Sequence, residues 1–197
     1  MHVRFSLCRE MPILEEGSEQ PLGTLFDVFI HPDLGVIEGF FVSIPRFFSA
    51  DILFLSAADI LHWGNRLYVR DSDVLGPLEE RVRLHALWQE GRTMLRQKMM
   101  TEGGASLGTC RDVQFDTKSF RIEWLFPRTL LRWRTPVPAS AIIEVRPDAV
   151  IVKDLTLTAE ERKPVLQALD ELTTPVTPVS SYTKRSDSLF FGRDKRE

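Results

Sequence analysis

The chain repeats itself, and this internal repeat constrains its fold more than any other feature of the sequence. Residues 22–42 read LGTLFDVFIHPDLGVIEGFFV, and residues 107–126 read LGTCRDVQFDTKSFRIEWLF. A shift of 85 positions aligns them without a gap. The identical pairs include Leu22 and Leu107, Gly23 and Gly108, Thr24 and Thr109, Asp27 and Asp112, Val28 and Val113, Ile37 and Ile122, and Glu38 and Glu123. Such self-similarity predicts two copies of one structural unit.

Each copy has the residue pattern of a β-hairpin. Residues 25–30 are rich in β-branched and aromatic types, which are typical of strands. Residues 31–35 (HPDLG) supply the proline, aspartate and glycine of a turn, and residues 36–42 form the return strand. In the second copy residues 116–119 (DTKS) take the place of this turn, so the sequence specifies the second turn less rigidly.

The segment that follows each hairpin recurs as well. Residues 54–71 align with residues 137–154 at a shift of 83, which pairs Ile60 with Ile143 and Val69 with Val152. Both copies contain an apolar run, a short polar turn and a closing β-rich run. The change of shift falls in the loop after the hairpin, where changes of length are tolerated.

This order of features resembles the PRC-barrel, the small β-barrel of the photosynthetic reaction-centre H subunit and of the ribosome maturation factor family. The motif that carries the resemblance is LG-x-x-x-D-V, which starts at Leu22 and again at Leu107. A turn, a hydrophobic strand, an apolar run and a closing strand follow each copy. The chain departs from the pattern by the polar residues of its second hairpin and by an enlarged loop at residues 45–48.

The resemblance implies a mainly β protein with two tandem small β-barrels, at residues 1–75 and 92–155, joined by a connecting segment at 76–91. Alternating apolar and polar residues at 3–7 predict a strand that opens the first barrel. A barrel of about 70 residues buries little surface alone, so we expect the two barrels to pack together. The family implies a binding scaffold and brings no catalytic residues.

A helix and a tail are expected after the second barrel. At residues 156–174, Thr158 and Glu161 form a capping box at the start of a helix, although Pro164 lies past the first turn, where proline is costly. The apolar stripe of this helix either packs on the barrels or is offered to a partner groove. Residues 175–197 are rich in proline, serine, threonine and mixed charge, which is typical of a disordered tail.

Composition limits the classes of function. The net charge of −3 and the pI of about 5.9 argue against broad, sequence-independent binding of nucleic acid, which requires clustered positive charge. Two cysteines, Cys8 and Cys110, fit a reducing compartment. The sequence has no apolar run long enough for a transmembrane helix and no signal-peptide pattern at its start. We therefore expect a cytoplasmic protein.

Two short segments are candidate partner contacts within the repeats. Phe47 and Phe48 form an aromatic loop, which either caps the open end of the first barrel or presents an exposed apolar patch to a partner. Arg132, Trp133 and Arg134 place two guanidinium groups beside an indole. That arrangement either stacks on a ligand or base, or is a solvated loop.

A third candidate lies in the tail. Phe190 and Phe191 stand among basic residues, whose excess over acidic residues makes this segment positive on an acidic protein. The segment is either solvated or a short docking motif for a partner or an anionic surface.

No pattern of catalytic or cofactor-binding residues emerges. The four histidines are far apart, neither cysteine lies in a CxxC, and no phosphate-binding glycine motif is present. Asp27 and Asp112 recur at equivalent positions, which favours a structural role such as bonding backbone amides at the start of a strand. We expect neither an enzyme nor a bound cofactor.

The sequence favours a non-catalytic adaptor that binds a protein partner through its barrel surfaces or through an unpaired strand edge. The partner could be a second copy of the chain. Two alternatives remain open at this point. One is a ribosome- or RNA-linked assembly factor, and the other is a peripheral subunit of a membrane complex.

Overall fold

A computed structural model describes residues 1–45 and 49–154, and this part of the chain is mainly β. The elements, in chain order, are β1 (His2–Arg4), α1 (Phe5–Cys8), β2 (Pro12–Glu15), β3 (Pro21–His31), β4 (Val36–Pro45), β5 (Ala50–Ser56), β6 (Ile60–Trp63), β7 (Leu67–Val69), β8 (Leu75–Gly76), α2 (Val82–Gln89), β9 (Lys98–Thr101), β10 (Ser106–Asp116), β11 (Ile122–Arg128), β12 (Val137–Pro138), β13 (Ile142–Val145) and β14 (Ala149–Val152). The expected C-terminal helix and tail lie outside the described residues.

The strands form two sheets with the same internal order. The first sheet runs β6-β7-β2-β3-β4-β5-β8, and the second runs β13-β14-β9-β10-β11-β12, with β1 added beside β10. In both sheets the closing strand pairs in parallel with the short strand before the long hairpin: β7 with β2, and β14 with β9. The internal repeat seen in the sequence is therefore a repeat of strand topology.

The long hairpins form where the sequence predicts them. Strand β3 pairs with β4 and β10 pairs with β11, and each pair carries two bulges at equivalent positions. Phe26 and Arg111 are the extra residues of the first bulge, and Glu38 and Glu123 are those of the second. A bulge bends a strand and increases its twist, so the shared bulges give both sheets the same curvature.

The alignment of the second half of the repeat needs one correction. Ile60 pairs with Val69, and Ile142 pairs with Val152, so Ile60 corresponds to Ile142 rather than to Ile143. Three residues lie between the paired Trp63 and Leu67, whereas four lie between the paired Val145 and Val150. Strand β6 therefore aligns with β13 at a shift of 82, and β7 aligns with β14 at a shift of 83.

Neither sheet closes on itself through hydrogen bonds between described residues. The first sheet ends at β6 and β8, and the second ends at β12 and β13. Short 3₁₀ turns at Ala57–Asp59 and Ala139–Ala141 connect β5 to β6 and β12 to β13. The described strands are thus two open sheets.

The segment before each repeat packs on the other repeat. Ser6 donates hydrogen bonds from its backbone N–H and its hydroxyl to Asp112 on β10, whereas Arg96, just before β9, donates to Asp27 on β3. The strand predicted over residues 3–7 is wrong in its partner and in its length. It is the short strand β1, which joins the second sheet and then turns into α1.

One hydrophobic core joins the two sheets. Phe40 and Leu55 from the first sheet lie in the same buried cluster as Cys110 and Phe115 from the second. A smaller cluster forms where α2 covers the outer face of β3, β4 and β5. In that cluster Trp88 packs edge-on against Phe29, with ring centroids 5.6 Å apart. The shared core fulfils the expectation that the two repeats pack together.

Candidate functional site

The two repeats meet at the tips of their long hairpins. Ile37 donates its backbone N–H to the carbonyl of Phe120, and Ile122 donates to the carbonyl of Gly35, both at 2.8 Å. Ile37 and Ile122 are equivalent residues at the shift of 85, and so are Gly35 and Phe120. Interchanging the two repeats therefore turns each bond into the other, as a two-fold axis does. Gly35 and Phe120 also share a left-handed backbone, with φ of 60° and 54°. A local two-fold axis therefore passes between the hairpins.

On one side of this axis, aromatic rings fill the space between the repeats. Phe120 packs against Phe40 and Trp63, with centroid distances of 6.1 and 5.8 Å. Phe115 completes the group and lies 5.4 Å from Trp63 in an edge-to-face arrangement. Such contacts add stabilisation beyond the area they bury. We call these four residues the aromatic cluster.

On the other side, smaller residues occupy the equivalent positions. The counterparts of Phe40, Trp63, Phe115 and Phe120, by strand register, are Leu125, Val145, Ile30 and Gly35. A Cβ atom placed on Gly35 would meet no heavy atom within 4 Å. A cleft of about 460 Å³ opens here, lined by Leu34, Gly35, Arg121, Ile142, Ile143 and Glu144 among others. We call it the dyad cleft.

The dyad cleft has a mixed lining, in which apolar side chains stand beside the charged groups of Asp33, Arg121 and Glu144. Leu34 and Ile143 are exposed at its rim. Asp33 accepts two hydrogen bonds from the guanidinium of Arg92, at 2.6 and 2.9 Å, which holds the pKa of this carboxyl below its usual range. The carboxylate of Glu144 forms an ion pair with the guanidinium of Arg146. Two of the three charged groups in the lining are therefore already in ion pairs. Among the described strands, β13 has an unpaired edge beside the cleft.

Arg132, Trp133 and Arg134 lie together on a tight hairpin between β11 and β12. Arg134 donates its backbone N–H to Pro127 at 2.9 Å, and Arg128 forms an antiparallel bridge with Trp133. The Arg128 guanidinium lies over the Trp133 ring, 5.3 Å from its centroid. We call residues 127–134 the arginine hairpin. Its arginines and indole are on the surface, so this prediction identified an accessible feature.

Sequence reasoning missed the two residues at the tip of the arginine hairpin, Leu130 and Leu131. A signal was available, because Phe47 and Phe48 stand at the middle of the equivalent loop between β4 and β5. Phe47 and Phe48 themselves lie outside the described residues. So do Phe190 and Phe191 of the tail.

The repeated aspartates hold the first bulge of each long strand. Asp27 accepts the N–H of Val28 at 3.0 Å, and Asp112 accepts that of Val113 at 2.9 Å. They bond backbone amides, as expected, but at a bulge inside the strand rather than at its start. Asp112 is buried beside Ser6, and this burial raises the pKa of its carboxyl.

Other site chemistry is sparse in the described part of the chain. No group of three or more His, Cys, Asp or Glu residues at 1–45 and 49–154 could hold a metal ion. Cys8 and Cys110 are both buried as free thiols, and desolvation, followed by the nearby Asp112 charge, raises the pKa of each to about 12. No helix within the same ranges is both long and apolar enough to cross a bilayer.

Comparison with known proteins gives no family assignment. A scan against protein-family models finds no match to the chain, and a search of curated proteins finds none either.

Proposed function

We propose that the protein is a non-catalytic, cytoplasmic adaptor of the PRC-barrel type, in which each sheet is one barrel-like unit. Its dyad cleft binds a protein partner. One observation carries the proposal: Phe120 fills its side of the local two-fold axis with a ring, whereas the equivalent Gly35 leaves an open cleft on the other side. The dyad cleft is concave, as binding pockets are, and its lining combines apolar side chains such as Leu34 and Ile142 with polar groups that can orient a partner.

The chemistry of the cleft favours a partner that inserts an apolar or aromatic side chain. The aromatic cluster shows what occupies the equivalent volume when the chain itself supplies it. Asp33 is held by Arg92, so its carboxylate is engaged rather than offered to a ligand. The free edge of β13 beside the cleft can add an extended segment of the partner as a further strand.

The experiment that tests the proposal fills the cleft from within. Gly35→Phe places a ring where Phe120 stands on the other side of the axis, and Phe120 shows that a phenylalanine adopts this backbone. The matched control is Gly17→Phe, because Gly17 also has a positive φ, of 82°, and no heavy atom near its Cβ position. Each full-length protein is used in an affinity capture from host lysate, with mass spectrometry of the bound proteins.

We expect the wild type and Gly17→Phe to capture the same partner, and Gly35→Phe to lose it. If Gly35→Phe captures every protein that the wild type does, the cleft is not the contact surface. Size-exclusion chromatography of the purified proteins covers the case of self-association. A dimer that Gly35→Phe converts to a monomer would identify the partner as a second copy of the chain.

A further inference from the structure

The tip of the arginine hairpin presents two adjacent leucines to solvent. Leu130 is 93% exposed and Leu131 is 89% exposed. They form the two-residue loop between Thr129 and Arg132, where the Thr129 backbone N–H and hydroxyl both donate to the Arg132 carbonyl, at 3.0 and 3.1 Å. The backbone of the tip is thus fixed before any partner arrives, so binding costs little ordering of the loop.

Positive charge surrounds these leucines. Arg128, Arg132 and Arg134 are all exposed, and residues 124–143 contain no acidic residue and no other basic one. This stretch therefore carries +3 on a chain whose net charge is −3. No carboxylate at residues 1–45 or 49–154 lies within ion-pairing distance of these three arginines.

We propose that the arginine hairpin docks the protein on an anionic lipid bilayer. Leu130 and Leu131 enter the boundary between headgroups and acyl chains, while the three arginines face anionic headgroups. A polypeptide with an apolar tip, a basic surround and an interfacial tryptophan combines the features that favour this boundary. Trp133, exposed at the base of the hairpin, supplies the interfacial ring.

Two features favour a bilayer over other partners. The leucines project from a convex tip, and a bilayer yields to a projecting side chain, whereas a rigid protein must provide a matching pocket. Stacking on a nucleic-acid base requires an open ring face. The Arg128 guanidinium already covers one face of Trp133, which leaves at most one face for a base. The proposal is independent of the dyad cleft and adds a location to the proposed adaptor.

The test is flotation of the full-length protein with unilamellar vesicles of phosphatidylcholine, with and without about 30% phosphatidylserine. We expect binding to the anionic vesicles only, and release when the salt concentration is raised to about 0.5 M. The double variant Leu130→Ser/Leu131→Ser should lose at least about tenfold in vesicle affinity. Arg132→Gln/Arg134→Gln should lose roughly 30-fold, on the order of fivefold for each arginine.

Matched controls alter similar residues elsewhere on the surface. Val82→Ser removes another strongly exposed apolar side chain, and Arg66→Gln/Arg70→Gln removes two exposed arginines from the first repeat. Both control proteins should float like the wild type. They also exclude a general effect of lost apolar surface or lost charge.

Three outcomes would overturn the proposal. One is equal flotation, or none, with both kinds of vesicle. Another is undiminished flotation of the hairpin variants, which would assign binding to the basic tail. The third is binding to a single-stranded RNA oligonucleotide, lost in Arg132→Gln/Arg134→Gln, without any binding to vesicles.

Discussion

Val36 and Arg121 face each other in an antiparallel bridge at the local two-fold axis that relates the two repeats. They are equivalent residues, 85 positions apart, so each repeat meets its own counterpart here. The hydrogen bonds on either side of the bridge are exchanged by the axis. The chain thus contains an interface of the kind that a symmetric dimer has, built within one polypeptide.

The first prediction concerns the two left-handed residues beside this bridge. Phe120→Gly should destabilise the protein by about 2 kcal/mol, because the loss of ring packing exceeds the relief of backbone strain. Gly35→Ala should cost about 1 kcal/mol, since the site has room for the methyl group and only the backbone is strained. Urea unfolding measures both. A Phe120→Gly protein as stable as the wild type would mean that the aromatic cluster contributes little.

The second prediction concerns Asp112. Asp112→Ala should cost roughly 3 kcal/mol, because the partly buried backbone N–H of Ser6 and the buried one of Val113 lose their acceptor. Asp112→Asn keeps an acceptor oxygen for both and should stay within about 1 kcal/mol of the wild type at neutral pH. Guanidinium unfolding of the three proteins gives the comparison. Equal losses in Asp112→Ala and Asp112→Asn would show that the charge matters more than the acceptor.

The same pair of proteins tests the pH dependence of stability. Burial raises the pKa of Asp112 in the folded state, so this state retains a proton that the unfolded chain has already lost. The raised pKa of Asp112 therefore contributes its full stabilisation of the folded state below the usual aspartate pKa. This stabilisation declines as the pH rises through the raised value. Subtracting the Asp112→Asn stability curve from that of the wild type isolates this decline. A flat difference between pH 3 and neutral pH would contradict the assigned burial.

The third prediction concerns the thiols. With a pKa of about 12 and little exposure, Cys8 and Cys110 should not react with Ellman's reagent in the native protein near pH 8. Both should react once the chain is unfolded in guanidinium, which gives two equivalents. Rapid reaction of either thiol without denaturant would show that the core opens locally.

The fourth prediction concerns the halves of the chain. Residues 1–77 and 78–197, expressed as separate polypeptides, should associate, because each half carries the leading segment that packs on the other. Ser6 reaches Asp112 in one direction and Arg96 reaches Asp27 in the other. Co-purification through a tag on one half detects the complex. Two halves that each fold alone as stable monomers would show that the shared core is dispensable.

The mainly β class and the repeated unit were predictable from the sequence, whereas the two closed barrels that the resemblance implies are not confirmed by the open sheets. The hairpins at residues 25–42 and their copy formed as expected, because β-branched and aromatic residues and the turn residues favour them locally. The exchange of leading segments was not predictable. The strand at Val3 depends on packing against Phe115 of the other repeat rather than on its own pattern.

The candidate site was likewise predictable from the sequence only in part. Arg132, Trp133 and Arg134 were identifiable by residue type, whereas the exposure of Leu130 and Leu131 was established by the turn, which leaves both side chains in solvent. The dyad cleft follows from differences in size at aligned positions, such as Gly35 against Phe120. Those differences in size indicate a cleft only once the repeats are known to face each other across a two-fold axis.

The position of β1 also has a consequence for synthesis of the chain. The hydrogen bond from Ser6 to Asp112 spans 106 positions, so the first residues of the protein are made long before their partner strand. At about 5–20 residues per second, the N-terminal segment waits roughly 5–20 s after its own translation for β10. During this interval the first sheet lacks the rest of the shared core, and the nascent chain offers apolar surface to chaperones or to neighbouring chains.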